Sequence, residues 1–161
     1  MANSQSMCTS FLGELLSATH NFSSANPAHT ANTADTFKAA LYTTTASPAI
    51  NAATTAYSAT GEVSGTGYTA GGVTVTNATN PASTNSSATA GVGYWTPSSN
   101  LVYTTVTLTT AFDTVLIYNS TQSNKAVSVH TFGSQTITAG TFTLTMPSNT
   151  TSTALLRLST T

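Results

Sequence analysis

Apolar and polar residues alternate along most of this chain with a period of two, and the period differs only near the start. Cys8, Phe11, Leu12, Leu15 and Leu16 recur at spacings of one, three and four, while Ser10, Glu14 and Ser17 fall on another side. That pattern predicts a short amphipathic helix. Thr9 or Ser10 is placed to cap it, and Glu14 is expected near the positive end of its dipole. The run from Thr19 to Pro27 is rich in helix breakers and capping residues, so the helix should end there. Residues 1–34 are therefore expected to form an arm with a linker, ahead of a single β domain over residues 35–161.

From Thr36 onward the alternation is that of strands. Phe37, Ala39 and Leu41 fall opposite Lys38, Ala40 and Tyr42, and Val73-Thr74-Val75-Thr76 follows a glycine-punctuated stretch. Further strands are predicted at Tyr94–Thr96, Leu101–Thr110, Thr114–Tyr118, Ala126–Phe132, Gln135–Thr138, Thr141–Met146 and Ala154–Leu158. Asn119 to Asn124, Phe132-Gly133-Ser134 and Pro147-Ser148-Asn149 stand between them as turns. In Thr141–Met146 the phase is strict, with Phe142, Leu144 and Met146 facing inward and the threonines out. Phe37, Leu41, Leu116 and Leu156 are likewise expected inside. Residues 77–91 have almost nothing to bury and are expected to form an exposed loop. Spaced short strands with frequent turns predict a mainly β fold, an antiparallel β-sandwich or a jelly-roll-like barrel.

Charge changes the picture next. The chain has three Lys or Arg and four Asp or Glu, so it is 4% charged with a net charge of -1, against roughly 25% charged for an ordinary domain. Lys38, Lys125 and Arg157 are too few and too scattered to form the basic footprint that nucleic acid or an anionic membrane surface requires. No apolar run approaches the roughly 18 to 20 residues of a membrane-crossing helix. Met1 to Ser6 lack the positive region and apolar stretch of a secretory signal, so synthesis in a cytoplasm without export is expected. On that ground the glycosylation sequons at Asn77-Ala78-Thr79 and Asn85-Ser86-Ser87 are taken as accidents of composition. Cys8 is the only cysteine, which leaves no internal disulfide and no site built on paired cysteines.

Catalytic chemistry has little to stand on. Glu14, Asp35, Glu62 and Asp113 form no close pair in sequence, as a glycosidase would need. His20, His29 and His130 lack metal-ligand spacing, and the glycines at 61, 65, 67, 71 and 72 lack the pattern of a phosphate loop. A triad of Asp113, His130 and a serine has no GxSxG elbow to mark its nucleophile. No enzyme activity, metal or cofactor is therefore expected. Phe11, Leu12, Leu15, Leu16, Phe22 and Trp95 are the candidate partner interface, with Trp95, Tyr68, Tyr103 and Tyr118 as possible sugar-stacking aromatics.

Three strings add to this. Asp35-Thr36-Phe37-Lys38-Ala39-Ala40-Leu41-Tyr42, Thr60-Gly61-Glu62-Val63-Ser64-Gly65-Thr66-Gly67-Tyr68 and Ala139-Gly140-Thr141-Phe142-Thr143-Leu144 resemble small structural proteins of tailed bacteriophages. Val115-Leu116-Ile117-Tyr118-Asn119-Ser120-Thr121 fits the same group. The resemblance implies a non-enzymatic virion component, first a head cement or decoration protein on the capsid surface, made in the host bacterial cytoplasm. Its implied partners are the major capsid protein and neighbouring copies of itself, as a homotrimer. A tail or fibre-associated module that binds host surface glycans is the alternative. If the arm serves assembly alone, deletion of residues 1–30 should leave a folded β body that binds its partner poorly.

Overall fold

The computed structural model describes residues 2–23, 33–77, 79–84 and 91–160, and it is mainly β, with two antiparallel sheets and one short helix. His29 and the Asn85-Ser86-Ser87 sequon lie outside the described residues, as does the middle of the predicted arm linker. In chain order the elements are β1 (Ser6–Met7), α1 (Thr9–Leu16), β2 (Phe37–Thr43), β3 (Val73–Val75), β4 (Ala82–Ser83), β5 (Val92–Trp95), β6 (Leu101–Asn119), β7 (Lys125–Leu144) and β8 (Leu156–Ser159). The larger sheet runs β1-β7-β6-β2-β3 and the smaller β4-β5-β8. The two do not close on each other, so the architecture is sandwich-like and the jelly-roll-like barrel expected as the other possibility is not formed.

The central feature is the hairpin of β6 and β7, strands of 19 and 20 residues. Its turn is the predicted one. Asn119 Oδ1 accepts from the backbone N–H of Thr121 and Gln122, and Ser123 and Asn124 take positive φ values of 53° and 60°, a region asparagine tolerates. The predicted breaks at Ala111 to Asp113 and at Phe132-Gly133-Ser134 are not turns. They are irregularities in one continuous ladder, where Phe112 faces Gln135 and Thr114 faces Thr131. A bulge shifts the alternation phase as a turn does, so the pattern of side chains does not separate the two.

β2 is buried on both faces from Ala39 to Tyr42, more than its alternation predicted. The second face is covered by the glycine-rich stretch: Tyr42 donates to Ser58 O at 2.6 Å, and Val63 N bonds Leu41 O at 3.0 Å. A Cβ on Gly65 or Gly67 would run into the backbone carbonyls of Thr107 or Thr105, and on Gly72 into that of Ala39. These glycines exist for close approach of backbone to backbone.

The detached N-terminal arm is corrected. β1 pairs with Val129 and Ser128 of β7, Cys8 N bonds Val127 O, and Asn3 bridges Thr43 O, Ile50 N and Asp113 Oδ1. Sheet pairing also sets where the helix begins: Cys8 is the N-cap, with no side-chain cap bond, so Thr9 and Ser10 are already helical. Glu14 consequently lies in the C-terminal half of α1. The predicted apolar stripe is split, with Cys8 and Phe11 buried while Leu12 and Leu16 are 45% and 93% exposed. After α1 the chain turns at Ala18 (φ 54°) and returns Phe22 onto Phe37, with ring centroids 4.4 Å apart and planes 17° apart. Of the residues expected inside, Phe37, Leu41, Leu116, Phe142 and Leu156 are buried and Leu144 packs against the core. In the stretch expected to be loop, β4 forms by pairing Ala82 and Ser83 with Tyr94 and Gly93.

The arm is thus part of the core, and loss of its anchors is expected to unfold the protein. Phe11→Ala or Phe22→Ala should cost about 3 to 5 kcal/mol in chemical denaturation. Burial, and then the Glu14 carboxylate, pushes the Cys8 thiol up to about 12, so it should stay unreactive to a thiol reagent until unfolding. Prompt labelling of the native protein would restore the arm to an independent unit.

Candidate functional site

An apolar cleft of about 320 Å³ lies between the N-terminal segment and the smaller sheet. One wall is Met7 of β1 with Phe11 and Leu15 of α1, the second is His20 and Phe22 of the returning chain, and the third is Tyr94, Trp95, Leu156 and Leu158. Antiparallel pairing of β5 with β8 sets Trp95 opposite Leu156, which brings the third wall together. Its size lies at the lower end of the ~300 to 1,000 Å³ usual for ligand pockets.

The aromatic side of the cleft is held from behind. Phe22 meets Trp95 edge-on at 4.8 Å and Phe11 at 5.9 Å, while the Trp95 indole N–H donates to Thr79 O at 2.8 Å. His20 sits between two elements. Asn119 Nδ2 donates to His20 Nδ1 at 3.0 Å, which places the ring proton on Nε2, where it donates to Glu14 Oε2 at 2.7 Å. The other Glu14 oxygen accepts from Lys125 Nζ at 2.6 Å. Burial opposes ionisation of Glu14, but the hydrogen bonds and charges of Lys125 and His20 prevail and hold its carboxyl below the usual range. Asn119 Nδ2 also donates to Asp35 Oδ2 at 2.7 Å, and the Asn21 N–H reaches the same oxygen at 2.9 Å. The imidazole is therefore engaged at both nitrogens, and among the described residues no Asp, Glu, Lys or Arg lines the cleft. An uncharged, apolar group is what it can receive.

Four of the six predicted interface residues, Phe11, Leu15, Phe22 and Trp95, line this cleft, but three of them as buried structure: Phe11, Phe22 and Trp95 are 2%, 7% and 3% exposed. Their expected role as freely offered contacts is corrected, because they satisfy one another inside the chain. Leu12 and Leu16 do face outward, on the far side of α1, and Leu158 at the cleft is 45% exposed. Leu156 and Leu158 escaped sequence reasoning as site residues. Their alternation was visible, but not that β8 would pair with β5.

The other candidates settle elsewhere. Glu62 accepts from the hydroxyls of Tyr57 and Tyr68 and from Gly71 N, each at 2.7 Å. Tyr118 donates to Gly71 O and Tyr103 to Ala39 O, both at 2.8 Å. Burial pushes Tyr118 up to about 12 and the others higher still, so these phenols are structural donors. Ser128 Oγ lies 2.9 Å from His130 Nε2, but Ser128 is buried, and Asp113 Oδ1 is taken by Asn3 and Thr114. Among the described residues no group of three or more His, Cys, Asp or Glu is placed to hold a metal ion. Comparison with known proteins found no matching family model, no matching curated protein and no matching solved structure.

Burial pushes His130 down from 6.5 to about 4. The unfolded chain binds this proton more readily, so the stability His130 confers is full above about pH 6.5 and is lost as pH falls towards 4. Glu14, lowered from 4.5, adds a further loss below that value. Denaturation midpoints are expected to decline across this window, and His130→Gln should flatten the upper part while leaving the lower. An unchanged upper slope in that variant would mean that His130 is not the group responsible.

Proposed function

We propose that this chain is a non-enzymatic structural protein of a tailed-phage virion, a cement or decoration protein that binds the major capsid shell and neighbouring copies of itself. The virion half of this proposal rests on the string resemblance in β2, the glycine-rich stretch and β7. The docking half is carried by one observation, an uncharged apolar cleft walled by α1, with Leu12 and Leu16 exposed on the same helix. A protein that coats a shell needs a rigid body and an apolar contact that does not depend on ions. None of the four carboxylates is exposed, and each accepts hydrogen bonds inside the fold, so few charges are left to offer a partner. Trp95 does not supply the exposed platform that a glycan-binding tail module requires, since its ring packs on Phe22 and Phe37.

Binding of the purified protein to capsid shells of the phage that encodes it tests the proposal. Wild-type protein should decorate the shells, and Leu12→Asp or Leu16→Asp should abolish decoration without changing the denaturation midpoint. Retention should respond shallowly to salt, since ionic strength acts through charges and few are available. Failure to bind shells, together with binding to tails or to glycans, would replace the cement role with the tail role.

A further inference from the structure

A cluster of tyrosines around Glu62 takes no part in the cleft. The half-buried Glu62 accepts from the hydroxyls of Tyr57 and Tyr68, and from Gly71 N, at 2.7 Å each, while Tyr118 donates to Gly71 O at 2.8 Å. Among the described residues two pairs of tyrosines stack. Tyr57 lies on Tyr118 with ring centroids 4.7 Å apart and planes 15° apart, and Tyr68 lies on Tyr103 at 6.1 Å and 16°. The closer pair joins segments far apart in sequence, the loop before the glycine-rich stretch and β6. Both partners are fixed by their backbones. Tyr57 N bonds Asn124 O at 2.9 Å and Ala126 N bonds Thr55 O at 3.0 Å, and Tyr118 pairs with Lys38 on one side and Ala126 on the other. Tyr118 is buried but Tyr57 only half so, which makes Tyr57 the point at which solvent meets the pair.

We propose that Tyr57 and Tyr118 form an oxidative cross-linking site, which a one-electron oxidant converts to an intramolecular dityrosine. A phenol gives up an electron most readily when its proton can leave at the same moment, and the Glu62 carboxylate stands at the Tyr57 hydroxyl to accept it. The resulting phenoxyl radical carries spin on the ring carbons beside the oxygen. Both hydroxyls end at the Glu62–Gly71 junction, so the oxygen ends of the two stacked rings lie together and the matching carbons of Tyr118 are at hand. Partners held in this way react as one molecule and not as two. Overall, one ring C–H bond beside each hydroxyl breaks and one C–C bond forms between the rings. Two electrons pass to two equivalents of the oxidant, two protons go to solvent, and the proton lent to Glu62 returns to the Tyr57 oxygen as the ring regains its aromaticity. The chain has a single cysteine and hence no disulfide of its own. A bond between Tyr57 and Tyr118 would tie the loop to the larger sheet and restrict the unfolded chain, as a disulfide does. The site rests on the fold, independently of the virion role.

Brief illumination of the dilute full-length protein with ruthenium tris-bipyridine and persulfate tests this. Dityrosine fluorescence should appear in a product that migrates as a single chain, is lighter by two hydrogen atoms and yields a cross-linked peptide joining Tyr57 to Tyr118. That product should unfold at a higher denaturant concentration than the untreated protein. Tyr57→Phe and Tyr118→Phe keep the rings and their packing, which circular dichroism verifies, and each should abolish the fluorescence. Tyr68→Phe should retain it. No dityrosine in the folded chain, a cross-link between Tyr68 and Tyr103 in its place, coupling only between separate chains, formation only after denaturation, or persistence in Tyr57→Phe overturns the proposal.

Discussion

The ladder between β6 and β7 is the constraint on which the rest depends. It supplies the two long strands to which every other element of the larger sheet attaches: β2 and then β3 along β6, and β1 along β7. Its core-facing residues, among them Tyr103, Leu108, Phe112, Leu116, Val127 and Val129, are almost fully buried. Because successive residues along a strand alternate faces with a period of two, one slipped residue would move this set to the opposite face. The bulges between Tyr103 and Thr114 therefore keep the apolar phase in step with a bending ribbon.

A fold with so few charges uses its carboxylates as fasteners. Asp113 receives Asn3 of the N-terminal strand segment, Glu14 joins α1 to His20 and Lys125, Asp35 holds Asn21 and Asn119, and Glu62 binds the glycine-rich stretch through two tyrosines and Gly71 N. Each ties a segment with weak secondary structure to the sheet. Charge-assisted hydrogen bonds are roughly twice as strong as neutral ones, and a partly buried carboxylate left without them would be costly. The scarcity of charge on the outside and its use on the inside are one property of this chain.

That property shapes what the surface can do. The cleft beneath α1 has its imidazole engaged at both nitrogens, and α1 turns two leucines outward. Contacts made through apolar packing and backbone hydrogen bonds suit assembly into a neutral, closely packed coat.

The local pattern of residues determined the class of the fold. Period-two alternation marked β2, β3, β5, the two halves of β6, the segments of β7 and β8, and it placed Phe37, Leu41, Leu116, Phe142 and Leu156 inside, because strand phase is a short-range property of the backbone. The asparagine-rich turn at 119–124 and the helix at α1 were legible for the same reason. Tertiary structure alone decided that the N-terminal segment is core. Whether Phe11 and Phe22 face solvent or Phe37 and Trp95 depends on partners far away in sequence, and an amphipathic stripe looks the same in either setting. It alone decided, too, that bulges rather than turns interrupt β6 and β7, that glycines cover the second face of β2, and that β8 meets β5 to complete the cleft. Those outcomes are long-range pairings, and the residues at either end carry no local signal of their distant partners.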